Sequence, residues 1–313
     1  MSKETLNLHE ENNPNCAKCR NKEERQTRNG LCEIATSVTD GLPARCVGAW
    51  ARDKIYFLNQ YFGIFGNGMK NRWEGKLDYF EICSGPGRCV LRETAREIDG
   101  TALAVFHNPH FKHYHGATFF DISSDVVTTL NQRFDNHGAR GKASAFVADY
   151  NDSENLALAA ARRSAGGLNL VFIDPTDCGV PFATVAALAN SLRNVDFIIN
   201  VALGTDATRN IKPAILKESS NSRSKYIRFL GSDAFFLDAG VHQMALMGQD
   251  DKLRIKLREY YQQALRSLGF LYFETERVKH YYDLLFASRH PKGSEFWKKA
   301  QKYGPDNQTA FDF

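Results

Sequence analysis

Carboxylates stand at or near the ends of four successive apolar runs, and that placement is the most informative feature of the chain. Glu81 lies inside the run 77–83, just ahead of Ser84-Gly85-Pro86-Gly87. Asp121 ends the second run, Asp149 the third and Asp174 the fourth. A glycine-containing turn lets backbone approach a ligand closely, and a helix opened by that turn offers free N–H groups. A carboxylate after the second strand can accept both hydroxyls of a ribose, and one after the third can accept an adenine amino group. Each aspartate alone could simply cap a helix. Together they point to an adenosine-bearing ligand held along Glu81, Ser84, Gly85, Gly87, Asp121 and Asp149.

Elements of one kind must hold these groups. The runs LDYFEIC (77–83), ATFFDI (117–122), SAFVAD (144–149), LNLVFID (168–174) and VDFIINVAL (195–203) are rich in Val, Ile and Phe. Helical stretches at 123–134, 154–163 and 182–192 alternate with them, the pattern of a parallel sheet covered on both faces. Ahead of them, Trp50, Lys54, Leu58, Tyr61, Phe62 and Phe65 recur at three- and four-residue steps and predict a helix ended near Gly66 and Gly68. After a helix at 253–268, the runs 270–275 and 281–288 flank a short charged linker and predict a hairpin. Five parallel strands and a hairpin make the seven-stranded α/β Rossmann-like sheet of class I methyltransferases. In such open sheets the ligand lies outside the carboxyl ends of the strands, and S-adenosylmethionine is the expected cofactor. A nicotinamide dinucleotide fits less well: the third glycine of G-x-G-x-x-G is missing, and Asp121 comes 34 residues after Gly87 rather than about 20.

The fourth run continues as Asp174-Pro175-Thr176-Asp177. Amino methyltransferases carry Asp/Asn-Pro-Pro-aromatic here, where the first side chain receives the target amine and the ring stacks on a flipped base. The first half fits and the aromatic does not follow. Asp174 and Asp177 are the candidate catalytic pair, as acceptor-orienting group and base or as ligands of a divalent metal in a hydrolase or nuclease. A helix cap and a Pro turn are the alternative.

Several stretches resemble the three-Cys-motif partner (TcmP) proteins. These are Asp40-Gly41-Leu42-Pro43, the segment from Cys46 to Lys54, Cys83-Ser84-Gly85-Pro86-Gly87, Gly100 to Ala104, Asp174-Pro175, and His290 to Trp297. The likeness runs from about residue 40 to 300. It implies a methyltransferase-like fold and a partner, a phage-type protein with a three-cysteine motif that resembles radical-SAM enzymes. The family's usual Asp-Pro-Phe-Gly is Asp-Pro-Thr-Asp in this chain.

Residues 1–47 are polar and precede the predicted domain at 48–300; residues 301–313 form a tail. Cys16, Cys19, Cys32 and Cys46 give four thiols before that domain, with Cys16-x2-Cys19 as half of a tetrahedral zinc site. Zinc, unbound thiols and an iron–sulfur cluster are the readings. Cys83, Cys89 and Cys178 sit after strands one and four and read first as small buried residues. His107, His110, His113 and His115 crowd one insert, read as a solvated loop. The insert 205–230 carries six basic residues against Asp206 and Glu218 and could meet nucleic acid, or simply form a solvated face. Among 313 residues the formal net charge is only +4, so composition permits an anionic partner without demanding one. No apolar run is long enough to span a bilayer, and the first residues lack an apolar signal core, so a cytoplasmic location is expected.

Overall fold

The computed structural model describes residues 35–302 except 140 and 218–219, together with the backbone of three short strands nearer the N-terminus. Those strands are β1 (Glu11–Asn12), β2 (Thr27–Arg28) and β3 (Leu31–Cys32). Next come β4 (Arg45–Val47), helix α1 (Trp50–Met69), β5 (Leu77–Ile82), β6 (Arg88–Leu91), β7 (Arg96–Asp99) and α2 (Thr101–Phe106). The central run is β8 (Gly116–Asp121), α3 (Ser124–Asn136), β9 (Ala143–Val147), α4 (Ser153–Ala161), β10 (Leu168–Ile173), α5 (Phe182–Ser191) and β11 (Asn194–Val201). Helices α6 (Thr208–Leu216), α7 (Asn221–Leu230), α8 (Ala234–Leu237), α9 (Ala239–Leu246) and α10 (Asp250–Ser267) lead to β12 (Tyr272–Val278), β13 (Tyr282–Ser288) and α11 (Pro291–Gln301).

The main sheet has seven strands in the order β12-β13-β11-β10-β5-β8-β9. β9, β8, β5, β10 and β11 pair in parallel, whereas β13 runs antiparallel to both β11 and β12. This is the Rossmann-like class I methyltransferase order expected from the sequence. β5 and β10 are buried along their whole length, as a central parallel strand covered on both faces must be. Their side chains alternate between two cores. Phe80, Ile82, Val171 and Ile173 pack beneath α4–α7 and α10; Leu77, Tyr79, Leu170 and Phe172 pack beneath α1, α2, α3 and α11. Among the described residues no helix is long and apolar enough to cross a membrane.

Helix boundaries follow local chemistry. The Ser123 hydroxyl accepts from the Val126 N–H to start α3, Pro291 opens α11, and Gly231, at φ +71°, ends α7. α1 runs three residues beyond its predicted end at Gly66, its glycines tolerated because Tyr114 and Phe296 press against the helix where a side chain would project.

The segment before the predicted domain is bound into it where it is described. β4 pairs in parallel with β6, and Ala35 and Ala44 are fully buried. Arg133 of α3, wholly buried, donates to the Asp40 carboxylate at 2.7 and 3.0 Å and to the carbonyls of Leu42, Pro43 and Pro86. One guanidinium thereby ties the N-terminal strap to the glycine turn. Replacing Arg133 with Met removes all five bonds and leaves Asp40 without its cation. A loss of about 3–5 kcal/mol is expected, as for the breaking of a buried pair. Urea denaturation at pH 7 checks it; a loss within 1 kcal/mol, on the order of a surface pair's worth, contradicts the clamp.

Candidate functional site

Chain connections diverge on either side of β5: β8 and β9 lie to one side, β10 and β11 to the other. A crevice opens at such a switch point, outside the carboxyl ends of the strands. Two adjoining cavities fill it. One, of about 290 Å3, runs from Ser84 and Gly85 to Trp50, Lys54, Asn200 and Tyr282. The other, of about 450 Å3, holds Asp121, Ile122, Tyr150 and Asp177. Arg45, Cys83, Asp174, Pro175 and Thr176 border both.

The glycine turn does not open directly into a helix as the sequence suggested. After Gly87 the chain makes the β6–β7 hairpin, and only then begins α2. The Gly100 N–H donates to the Gly87 carbonyl at 2.7 Å, which closes the hairpin at its base and brings the start of α2 back to the turn. The hairpin and the β4 strand laid beside it form a wall. Arg45, Cys46, Cys89 and Arg92 reach the cavity from it. The two glycines of the turn do different work. A Cβ on Gly87 (φ +92°) would meet Leu130 at 2.9 Å and Leu103 at 3.2 Å, so the protein's own packing demands glycine there. A Cβ on Gly85 (φ +65°) would meet only Arg45, at 3.5 Å, so its bare backbone faces the cavity. Cys83 also adopts a positive φ, +66°, a conformation uncommon for a residue with a side chain.

The predicted cofactor residues divide. Ser84 lines the cavity and is 5% exposed, and its hydroxyl has no partner among the described residues. Asp121 lies at the end of β8 in the second cavity. One of its oxygens accepts from the Gly85 N–H at 3.1 Å and the other from the Ser123 N–H at 3.1 Å, which leaves lone pairs on both for a ligand. Asp149 is not on either wall. It is exposed two residues past β9, and its carboxylate closes a turn onto the Asn151 amide groups. Glu81 is also absent from the walls: it is fully buried and accepts from the Thr101 hydroxyl and, at 2.8 Å, from the Tyr79 hydroxyl. Burial, opposed in part by those two hydroxyls, pushes its carboxyl up to about 8.

Asp174 and Asp177 line the same cavity, and each faces a lysine. Asp174 is gripped from two sides: Lys54 of α1 forms an ion pair with Oδ2, and the Asn200 side-chain amide donates to Oδ1 at 2.8 Å. Asp177 faces Lys225 of α7 at 3.3 Å, and Lys225 sits more tightly on Asp206 at 2.7 Å. The basic insert thus spends one of its cations internally. Among the described residues no group of three His, Cys, Asp or Glu side chains is placed to hold a metal ion. Lys54, Arg45, Asn200 and Tyr282 are among the wall residues that sequence reasoning did not place in the site. Lys54 stands 5.9 Å from the Trp50 ring and 5.7 Å from the Tyr282 ring, and those rings meet edge to face at 5.1 Å. The only hint in the sequence was Trp50 and Lys54 on one face of the first helix.

Of the proposed zinc ligands, Cys16 and Cys19 lie outside the described residues, Cys32 is described only as strand backbone, and Cys46 lines the cavity. Cys83 and Cys89 line it too, whereas Cys178 is in the core. Burial pushes the Cys83 and Cys178 thiols well up and that of Cys89 to about 11, so all three stay protonated near neutrality. His107 pairs with Asp99 and His115 with Asp78, on different elements, while the rings of His110 and His113 stack.

No family model matches the chain, and no curated protein does. Solved structures similar to it include EvdMO1, 13% identical over 74% of this chain with a TM-score of 0.39. The chain spans 42% of the length of that protein. Magnesium protoporphyrin IX methyltransferase from Synechocystis PCC 6803 is 14% identical over 76% of this chain and 86% of its own, with a TM-score of 0.37. An O-methyltransferase from Bacillus cereus is 10% identical over 72% of this chain and 79% of its own, with a TM-score of 0.40. Likeness of this size carries no weight by itself; the fold assignment rests on the strand order.

Glu81 makes a pH prediction. With its folded-state carboxyl raised from the ordinary 4.5 to about 8, the folded protein holds a proton that the unfolded chain releases. The resulting stability is fully present below about 4.5 and is lost as pH rises through about 8. Asp196, raised to about 7 by burial, acts in the same direction. Glu81→Gln should therefore flatten the decline in stability between pH 5 and 8 without abolishing it. Denaturation curves across that range measure the slope; identical slopes for the two proteins contradict the assignment.

Proposed function

We propose that the chain binds S-adenosylmethionine in this crevice and directs its methyl group to an acceptor in the Lys54–Trp50–Tyr282 end of the first cavity. The observation that carries this reading is the cavity pair at the switch point, where two residues of the wall each have a buried polar atom left unpaired among the described residues. These are Ser84 Oγ and Asn200 Oδ1. The bare backbone at Gly85 and the remaining lone pairs of Asp121 on the same walls fit a polar ligand. Asp121 would hold the ribose, with Ile122 and Tyr150 beside the base. Ser84, the bare backbone at Gly85 and the guanidinium of Arg45 would meet the methionine end. Arg45 makes no ion pair or side-chain hydrogen bond among the described residues and stands over Gly85.

When bound, the cofactor supplies an electrophilic methyl on a cationic sulfur. The chain's own part is to place the acceptor in line and exclude water. The electron-rich faces of Trp50 and Tyr282 favour positive charge nearby, and the wall of β4 and the β6–β7 hairpin shields the turn. A nucleic acid or nucleotide-like acceptor is consistent with the exposed Arg209, Lys217 and Arg228 of the basic insert.

One observation favours a second reading. Asp174, the side chain expected to orient an amine, already holds an amine of the chain itself, the Lys54 ammonium. Taken with the TcmP resemblance, this describes a subunit that holds the cofactor without turning it over and works as the partner of a three-cysteine-motif protein. Labelled methyl transfer with and without that partner separates the two.

Calorimetric titration with S-adenosylmethionine and S-adenosylhomocysteine tests the binding itself. Micromolar affinity is expected. Asp121→Ala should weaken it by about 10-fold or more, the worth of charge-assisted hydrogen bonds to the ribose. Undiminished affinity in that variant contradicts the placement, and no binding to the native chain contradicts the function.

A further inference from the structure

A separate cavity of about 170 Å3 opens at the other end of the sheet, where β10 and β11 begin and β13 ends. The six residues of β10 put that end about 20 Å from the crevice, at the rise of a strand. Its apolar wall comes from Met69 at the end of α1, Trp73 in the turn that follows, and Val195 of β11. Asn194 adds a side-chain amide to the same wall. The charge around it is one-sided. Arg72, Arg193, Arg289 and Lys292 line it against one carboxyl, that of Asp196, which is itself buried. Two of the four cations are already answered by the protein. Arg289 donates to the carbonyls of Leu268 and Ala189 and stacks on Phe270, and Lys292 pairs with Glu295. Arg72 and Arg193 are exposed and have no ion pair or side-chain hydrogen bond among the described residues. The N-terminus of α11 opens beside them and adds positive potential.

We propose that this cavity takes the base of a nucleotide against Trp73, with the phosphate held outside it by Arg72 and Arg193. The cavity is smaller than the roughly 300–1,000 Å3 of pockets that enclose drug-sized ligands. It admits one ring and leaves a charged group at the rim, where the two free guanidiniums are. One arginine satisfies both oxygens of a carboxylate, whereas a phosphate has oxygens enough for two. An indole offers a stacking face to any base, and the Asn194 amide suits a ring with a polar edge. A free nucleotide and a nucleotide within a strand present the same chemistry to these residues. The site lies at the far end of the sheet, so it does not depend on the methyltransferase reading of the crevice.

Calorimetry on the full chain tests this with thymidine, thymidine monophosphate and a short oligothymidylate as probes, each in excess S-adenosylhomocysteine. The monophosphate should bind at least about 10-fold more tightly than thymidine, the worth of charge-assisted hydrogen bonds to the phosphate. Arg72→Gln combined with Arg193→Gln should remove that difference and leave S-adenosylhomocysteine affinity unchanged. Trp73→Leu should weaken thymidine and its monophosphate alike. Both arginines are exposed, so the double variant should fold as the native chain does, which urea denaturation checks. An oligothymidylate that binds more tightly than the monophosphate, and loses that advantage in salt, supports a strand as the source; equal binding supports a free nucleotide. Equal affinity for thymidine and its monophosphate, an undiminished difference in the double variant, or no binding of any probe overturns the proposal. Failure of S-adenosylhomocysteine to bind, with the monophosphate preference retained, would overturn the cofactor reading and support this site.

Discussion

Everything in the site depends on the parallel pairing of β5 with β10. Their register sets Ile82 opposite Ile173, and the Asp174 N–H donates to the Ile82 carbonyl at 3.0 Å. The glycine turn and the Asp174 loop therefore leave the sheet side by side. Because both strands are covered on both faces, a slip of one residue would exchange the two cores and carry every side chain to the wrong side. The burial that holds the pair in register thus also fixes where the glycine turn and the Asp174 loop emerge. On either side of β5 the chain crosses over in opposite directions, and the crevice is what no connection covers.

Around that crevice, charge is organised in pairs rather than left free. Arg133 anchors the strap at Asp40 to the turn at Pro86. Arg88, also buried, is held by Glu97 and Asp99 and so locks the β6–β7 hairpin. Lys54 and Asn200 share Asp174. Each arrangement satisfies charges that burial would otherwise make costly, and each fixes a wall of the site. Arg45, Ser84 Oγ and Asn200 Oδ1 stand apart because no such partner answers them among the described residues.

Much of this was legible in the sequence. Apolar runs of six to nine residues announced all seven strands of the main sheet to within two residues at most ends. Asp121 was found because it stands where its strand ends. Glu81 lies inside its strand, where the period of two sets it on the face of Leu77 and Tyr79, toward a core. Asp149 lies past the strand, where the backbone has turned away. The β6–β7 hairpin escaped because its strands are only four residues long and partly charged, with Arg88, Glu97 and Asp99 paired out of sight. Lys54 and Asn200 could not be found by any local pattern. They meet Asp174 across 120 and 26 residues of chain, and only the closed sheet brings them together.

The central claim is that this crevice holds an adenosyl cofactor along the turn and leaves the Lys54–Asp174–Asn200 group intact beyond its sulfur. A crystal structure of the chain with S-adenosylhomocysteine measures that directly. The account predicts the ribose on Asp121, the methionine end beside Ser84, Gly85 and Arg45, and the sulfur facing an undisturbed Lys54–Asp174 pair. A ligand bound elsewhere, or one that inserts its own ammonium between Lys54 and Asp174, would contradict it.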